Sequence, residues 1–158
     1  MFKKYLKVFL ISMLPLVELR LAMPYAKVLG LPFFSALAVA MVGNLIPVPI
    51  IFYLAHKVLI FGAELKYLGF IFRFFLDKGE AAGQKLQKKS HYGLYIALYL
   101  FVAIPLPGTG AWTGTLASSI LQLDFRKTIL AVSLGVLTAG LIMWAATTGI
   151  LALGTAFN

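Results

Sequence analysis

The sequence has no cysteine among its 158 residues, which excludes disulfide bonds and thiol chemistry. Acidic residues are also scarce, since five Asp and Glu stand against 14 Lys and Arg. Charged residues make up only 12% of the chain, about half of the roughly 25% found in a soluble domain. The sequence shows no Ser-His-Asp grouping, carboxylate pair or metal-ligand spacing. We therefore expect no enzyme, no bound metal and no other cofactor.

Apolar residues dominate what is present. They form 61% of the chain, and the mean hydropathy is +0.95. Long apolar runs at this length predict one integral, multi-pass membrane domain, which we place in a prokaryotic-type plasma membrane. The net charge of +9 does not indicate nucleic-acid binding here, because lysines on the loops of a membrane protein set its orientation and contact anionic lipid head groups.

Four hydrophobic blocks follow one another along the chain, and two of them are interrupted. The first is broken by Pro15, Glu18, Arg20 and Pro24, and the third by the run from Pro105 to Gly114. The second and fourth are long enough to cross a hydrocarbon core of about 30 Å. The approximate limits of the blocks are 5–29, 33–60, 92–123 and 128–153.

A polar connector separates the two pairs of blocks. Its apolar side chains recur at helical spacing on one face and its charged side chains on the other, which predicts an amphipathic helix in the plane of the membrane interface. We interpret the basic remainder, 78–89, as a solvated connection in preference to a regulatory or partner site. The apolar face is Leu65, Leu68, Phe72, Phe75 and Leu76, and the charged face is Lys66, Arg73, Asp77 and Glu80.

The second half of the chain repeats the pattern of the first at a constant offset of 92 residues. Gly43 corresponds to Gly135, and Pro15 corresponds to Pro107. Each half consists of a broken block, a short turn and a long helix. The predicted parts of the single domain are a first repeat (1–61), the connector (62–91) and a second repeat (92–158).

Two topologies are compatible with this pattern. If the broken blocks cross the membrane, there are four spans and the halves are parallel. If they enter and return as re-entrant hairpins, each half crosses once and the halves are inverted. We favour the inverted repeat, because broken helices near the midplane are a transporter design. One conflict remains: the seven Lys and Arg from Lys57 to Lys89 belong in the cytoplasm, and re-entry then places Lys3, Lys4 and Lys7 on the opposite side.

Glu18 and Arg20 are charged residues inside an apolar stretch, where charges are retained if they are paired, hydrated or functional. In an α-helix they would point about 200° apart, whereas in an extended segment residues i and i+2 share a face. We predict an extended tip between Pro15 and Pro24 that aims both into one cavity. There Glu18 would carry a transferable proton and Arg20 would bind a phosphate. The alternative is that they pair with each other, or with the opposite tip, and only hold the hairpin.

The second break has no charge but many groups that expose backbone. Its glycines free the chain, its threonines and N–H groups offer a polar surface, and helix N-termini facing it favour anions. It lacks the GKS/T ending of a nucleotide-binding loop. Trp112 is interpreted as a packing residue or, less favoured, as a gate. The predicted site residues of this break are Pro105, Pro107, Gly108, Thr109, Gly110, Trp112 and Thr113.

Two further residues complete the predicted site. Pro24 closes the first tip, and Asn44 stands three residues before Pro47. The Asn44 amide can satisfy backbone groups that the proline frees, and a plain role in helix packing is equally compatible.

The two breaks resemble the motifs of the small multidrug export protein family, a branch of the DedA/VTT superfamily. The first is Glu18-Leu-Arg-x-Ala-x-Pro24, and the second is Pro105-Leu-Pro-Gly-Thr-Gly-Ala-Trp-Thr-Gly114. The resemblance covers nearly the whole chain. It implies two re-entrant hairpins that face each other, each followed by a spanning helix, and the superfamily is associated with lipid translocation. DedA proteins tend to carry arginines in the second hairpin; here the second break has none, and Arg20 is the only arginine at either tip.

We therefore predict a small membrane transporter for an amphiphile with an anionic head group, such as a polyprenyl phosphate or a phospholipid. Glu18 would couple transport to protons, and Arg20 would bind the head group. One alternative is a proton-coupled exporter of small cationic drugs that uses Glu18 without Arg20. Another is a membrane scaffold without transport. The predicted partners are membrane lipids, the amphiphilic substrate and, through the small residues of the last helix, a second copy of the chain.

Overall fold

The chain folds into helices joined by short turns in its computed structural model, which describes residues 1–65, 69, 70, 72–74, 77 and 92–156. No strand occurs among these residues, so the predicted all-α class is confirmed for them. The helices of ten or more residues in this part are α1 (Phe2–Met13), α2 (Glu18–Val28), α3 (Phe33–Leu45), α4 (Pro47–Ala63), α5 (Gly93–Ala103), α6 (Ala111–Ile120) and α7 (Phe125–Ala156).

Within the described ranges, two stretches of helix are long and apolar enough to cross a membrane. They are Phe33–Ala63, which joins α3 and α4, and Phe125–Leu153 within α7; the mean hydropathy of each is 2.1. At 1.5 Å per residue, each is more than 40 Å long, against a hydrocarbon core of about 30 Å. The helices α1, α2, α5 and α6 have only 10 to 12 residues, so each reaches about half of that thickness.

The helix of the second block is divided at Ile46, between α3 and α4. Ile46 keeps helical dihedral angles, φ −56° and ψ −44°, so the backbone does not unwind there. The division follows from the missing N–H of Pro47 and Pro49, which leaves the carbonyls of Gly43 and Leu45 without their helical donors.

The first two helices fold back on each other. Lys4 Nζ donates a hydrogen bond of 2.8 Å to the carbonyl of Leu29, just past the end of α2. The hydroxyls of Tyr5 and Ser35 are 2.8 Å apart. The start of α1 therefore lies beside the end of α2 and the start of α3, and α1 and α2 form an antiparallel hairpin.

The helices α5 and α6 form a second hairpin of the same kind. The Tyr95 hydroxyl near the start of α5 accepts the N–H of Asp124, just before α7, at 3.2 Å. Further along, a Cβ built on Gly114 of α6 would lie 3.7 Å from the Phe101 ring of α5. The start of α6 thus lies beside the end of α5, so the two helices are antiparallel. The start of α7 lies beside the start of α5.

The long helices of the two halves run in opposite directions where they touch. The Phe33 ring at the start of α3 lies 5.1 Å from the Trp144 ring, late in α7. One turn later in α3, Leu37 contacts the position of Gly140, one turn earlier in α7. The hydrophobic core of the fold includes buried side chains of α2, α5 and α7, among them Leu19, Met23, Val102, Val132 and Val136.

Two glycines at equivalent positions of the repeat allow close helix packing. A Cβ built on Gly43 of α3 would lie 2.6 Å from the Phe9 carbonyl oxygen of α1. A Cβ on Gly135 of α7 would lie 2.7 Å from Val102 Cβ and 3.0 Å from the Tyr99 carbonyl oxygen of α5. The offset of 92 found in the sequence therefore corresponds to a shared packing contact in each half.

Only part of the connector is described. Arg73 Nε donates a 3.0 Å hydrogen bond to the carbonyl of Ala63, and the Phe72 ring fills the space above Gly62, so this part returns onto the end of α4. The interfacial helix stays a prediction. Leu68, Phe75, Leu76, Lys66, Glu80 and the basic stretch 78–89 lie outside the described residues.

Replacing either packing glycine is expected to destabilise the fold. Gly43→Ala and Gly135→Ala each place a methyl against backbone or a Cβ that cannot move away, and overpacking of this kind costs about 1–3 kcal/mol. Gly149→Ala is the control, because no atom lies within 4 Å of its Cβ position and alanine favours helix by about 1 kcal/mol. Thermal unfolding in detergent, followed by circular dichroism, should show lower midpoints for the first two variants only. Equal midpoints for all three would contradict this account of the packing.

Candidate functional site

The first break is a tight reversal of four residues between α1 and α2. Leu14 is extended (φ −71°, ψ 137°), as expected for a residue before proline. Leu16 and Glu18 have positive φ angles of 68° and 51°, and the N–H of Glu18 donates to the carbonyl of Leu14 at 3.0 Å. The left-handed residues turn the chain so sharply that helix resumes at Glu18.

The predicted extended tip from Pro15 to Pro24 is therefore wrong. Residues 18–28 are helical, and Pro24 lies inside α2. A proline at this position removes the N–H that would bond the carbonyl of Arg20. The half-buried Pro24 thus affects the backbone of α2 and brings no polar group to the site.

The Glu18 side chain crosses to the second break and meets the start of α6. Its Oε2 accepts the N–H of Ala111 at 3.1 Å, and its Oε1 accepts the N–H of Trp112 at 3.0 Å. Glu18 is only 3% exposed. Free N–H groups and the helix dipole make the first turn of a helix attractive to an anion, and the anion here is a carboxylate from the other half of the chain.

Gly110 provides the space that the Glu18 carboxylate occupies. Its φ of 130° lies in a region that L-residues rarely adopt. A Cβ built there would lie 2.8 Å from Glu18 Cδ. Gly110 is also the residue that corresponds to Glu18 at the offset of 92, so the acid and the gap that receives it occupy equivalent positions of the two halves.

The Arg20 guanidinium binds the same break by its two terminal nitrogens. Nη1 donates to the carbonyl of Leu106, and Nη2 donates to Thr109 Oγ1 at 2.5 Å. The Thr109 hydroxyl is in turn 2.9 Å from the carbonyl of Ile104. Arg20 is 9% exposed. A charged fork is thus satisfied by neutral oxygens of the opposite break.

We call these contacts of Glu18 and Arg20 with residues 106–112 the latch. Of the alternatives left open by the sequence, pairing with the opposite tip is the one observed. Among the described residues, the hydrogen bonds of Glu18 and Arg20 go to the second break and none joins them to each other. The latch is polar, its two charged side chains are buried, and it lies where both broken blocks are interrupted.

The remaining predicted site residues lie around the latch or apart from it. The second break ends at Gly110 and not at Gly114, because α6 begins at Ala111; Trp112 and Thr113 are therefore helical. Thr113 Oγ1 lies 3.4 Å from the carbonyl of Gly110. The loop between α5 and α6 contains Pro105, Pro107 and Gly108, the last with φ 81°, and they contribute no polar side chain.

Asn44 is buried in α3 at 1% exposure. Its Oδ1 has no hydrogen-bond partner in the described part of the chain, and no hydrogen bond there links it to the latch. Asn44 therefore takes no part in the hydrogen bonds of the latch.

An apolar groove of about 640 Å³ adjoins the latch. Trp112 belongs to both the groove and the latch, since it lines the groove and its backbone N–H donates to Glu18. Its buried Nε1 has no partner among the described residues. The groove is formed by the end of α1, the first break and the start of α4, including Leu10, Leu14, Pro15, Pro47 and Ile50.

Two backbone groups that form hydrogen bonds in the latch were not predicted from the sequence. The Leu106 carbonyl and the Ala111 N–H have no side-chain signature, and only the pattern of a break followed by a helix points to them. The function of Gly110 could have been found, because the offset of 92 pairs it with Glu18.

Comparison with known families gives one match. The model of a family described as "Putative small multi-drug export protein" matches residues 18–142. The chain belongs to this family. No curated protein and no solved structure matches it. Membership indicates a membrane transporter and, with the two long apolar helices, a membrane location, whereas the wider DedA/VTT relationship stays a prediction.

A double-mutant cycle tests the fit between Glu18 and Gly110. Gly110→Ala should destabilise the wild type more than it destabilises Glu18→Ala, because only the wild type has a carboxylate in the way; coupling between contacting residues is about 0.5–3 kcal/mol. Gly108→Ala is the matched control, since Gly108 also has a positive φ but no atom within 4 Å of its Cβ position. Its cost should be the same in both backgrounds. Additive effects of Gly110→Ala and Glu18→Ala on unfolding in detergent would contradict the contact.

Proposed function

We propose that this protein is a transporter for amphiphiles with an anionic head group, such as polyprenyl phosphates or phospholipids, and that the latch is its closed state. The observation that carries the proposal is that two buried charged side chains cross from one helix break to the other. Charges at membrane depth are costly, and here their partners are backbone and hydroxyl groups that a substrate can replace.

The architecture we propose is an inverted repeat of two re-entrant hairpins in a prokaryotic-type plasma membrane, within the DedA/VTT superfamily. Three observations support it: the fold-back of α1 on α2 and of α5 on α6, helices in both hairpins that span half a bilayer, and long helices that run in opposite directions at Phe33 and Trp144. Irregular backbone of the kind seen in both breaks is tolerated in membranes where protein covers it.

Protonation of Glu18 would release one side of the latch. The carboxylate accepts two N–H groups at the positive end of α6, and charge-assisted bonds of this kind are about twice as strong as neutral ones. A protonated carboxyl group loses that charge and must donate its own O–H. The latch therefore weakens as the pH falls, which couples opening to proton uptake.

Arg20 would then exchange partners. In the closed state, its fork is bound to neutral oxygens, those of Leu106 and Thr109. A phosphate offers charged acceptors that match the planar fork, so it is a stronger partner than either. The apolar groove beside Trp112 would hold the hydrocarbon part of the same molecule.

Export of lipophilic cations is the second candidate. The family description names drug export, and a carboxylate next to an apolar groove also suits a lipophilic cation. This reading uses Glu18 and leaves Arg20 as a structural residue.

Transport in liposomes distinguishes these functions. For the first candidate, the wild type should move a fluorescent anionic phospholipid faster as the pH falls. Glu18→Gln should remove the pH dependence of transport. Arg20→Gln should slow transport at least about tenfold. Arg20→Lys should have a rate between those of the wild type and Arg20→Gln, because lysine keeps the charge without the planar fork. Glu64→Gln and Lys7→Gln change exposed residues and should leave transport unchanged.

The cationic alternative predicts movement of tetraphenylphosphonium instead, lost in Glu18→Gln and kept in Arg20→Gln. A scaffold predicts no movement of either probe. The leading proposal fails if labelled phospholipid moves no faster than in empty liposomes and Glu18→Gln changes nothing.

The absence of native cysteine permits a direct test of re-entry. Single-cysteine variants Lys3→Cys and Val28→Cys, at the two ends of the first hairpin, should react with an impermeant thiol reagent from the same side of the membrane. Tyr92→Cys and Gln122→Cys should both react from the other side. Labelling of Lys3→Cys and Val28→Cys from opposite sides would instead establish the topology with four spans.

A further inference from the structure

A second groove lies between the parallel helices α5 and α7. Its volume is about 530 Å³, and its accessible surface is apolar. Tyr95 and Tyr99 of α5, with Tyr92 just before that helix, form one wall of the groove. Leu130 and Leu134 of α7 form the other wall, and Lys127 lies at the end where both helices begin.

The tyrosine wall is preformed. The Tyr95 hydroxyl accepts the N–H of Asp124 at 3.2 Å, and the Tyr99 hydroxyl lies 3.1 Å from Thr138 Oγ1. These two hydrogen bonds hold the Tyr95 and Tyr99 side chains in place beside the groove. Seven residues separate Tyr92 from Tyr99, which gives a length of about 10 Å, two thirds of one leaflet's hydrocarbon depth.

Lys127 is a cation without an acidic partner among the described residues. Its Nζ lies 5.7 Å from the centre of the Tyr95 ring. Asp124, the acidic residue one turn earlier, uses its Oδ1 to accept the backbone N–H of Lys127 at 2.9 Å and so caps α7. Arg126 beside it is exposed. Two basic side chains thus stand at a helix N-terminus, where the dipole disfavours them and favours an anion.

The charge of the whole chain places this groove on the side of the membrane that is rich in anionic lipid. The stretch from Lys57 to Lys89, which leads into α5, and Arg126 and Lys127 at the start of α7 together contain nine of the 14 Lys and Arg in the sequence. The positive-inside rule assigns them to the cytoplasmic side, where the leaflet carries negative surface potential.

We propose that the groove between α5 and α7 is a binding site for one anionic phospholipid of the cytoplasmic leaflet. The phosphate lies at Lys127 and the first turn of α7, and an acyl chain lies along the tyrosine wall against Leu130 and Leu134. In a bilayer, moving an acyl chain from other lipid tails into the groove gains little free energy. The head group therefore determines which lipid is bound. The site shares no residue with the latch and does not depend on the transport proposal.

Native mass spectrometry of the protein in detergent, titrated with phosphatidylglycerol or phosphatidylcholine of the same chain length, tests the site. The wild type should retain one phosphatidylglycerol in preference to phosphatidylcholine. Lys127→Gln should weaken phosphatidylglycerol binding roughly fivefold, the effect of one basic residue near a membrane surface. Lys27→Gln is the matched control, because Lys27 also lies over an aromatic ring, that of Trp144 at 4.5 Å, but at the other end of the fold.

Leu134→Trp should fill the groove and remove binding of both lipids, and Leu130→Trp replaces it if the first variant does not fold. Equal retention of the two lipids would overturn the proposal. An equal loss of phosphatidylglycerol binding in Lys27→Gln would also overturn it, because the lipid would then respond to the overall positive charge of the protein and not to this site. Displacement by millimolar glycerol phosphate would reduce the site to an anion site without a chain. Dimers that replace the bound lipid and disappear in Leu134→Trp would show that the groove is an interface between copies.

Discussion

The contact between the Glu18 carboxylate and the first turn of α6 is the constraint on which the rest of the structure depends. A carboxylate that is 3% exposed in apolar surroundings requires full replacement of its lost hydration. Two N–H groups and a helix dipole supply that replacement, and only the exposed start of a helix offers both. The second break must therefore stop α5, expose the N-terminus of α6 and stay in register with the first break.

Arg20 has a different relation to its surroundings. The positive charge of Arg20 offsets the negative charge of Glu18 within one buried cluster. The hydrogen bonds of both side chains nevertheless go to the other half of the chain. The acceptors of Arg20 are neutral oxygens of a loop, whereas Glu18 meets two aligned donors. Of the two charges, Arg20 is thus the one whose present partners are more easily exchanged for a stronger ligand.

Much of the fold could be predicted from the sequence because the hydrophobic pattern determines it. Length and hydropathy were sufficient for the all-α class and the two long helices, and the offset of 92 carried over to a packing contact at Gly43 and Gly135. The extended tip at Glu18 was wrong because the choice considered was between a regular helix and a strand. The chain instead turns through Leu16 and Glu18, which have left-handed backbone conformations. Leucine and glutamate rarely adopt positive φ angles, so the sequence does not indicate this conformation.

The site could be predicted only in part, for a related reason. Glu18 and Arg20 were found because charge in an apolar run is costly, and Thr109 and Gly110 because polar and flexible residues cluster in the second break. Their pairing could not be predicted, since the partners of Glu18 are backbone N–H groups, and those exist at every residue. The connection required the distance between two segments 93 residues apart, which no local pattern contains.

The equivalence of Glu18 and Gly110 limits how such a molecule can be assembled. With glutamate at both positions, two carboxylates would compete for the same space, and with glycine at both, neither helix start would receive an anion. The contact needs the two halves to differ at this position. Two identical half-length chains could share the helices and the packing glycines, but they could not form this contact. Joining both halves in one polypeptide allows each to keep its own residue there, so the covalent link between them also fixes which half provides the acid.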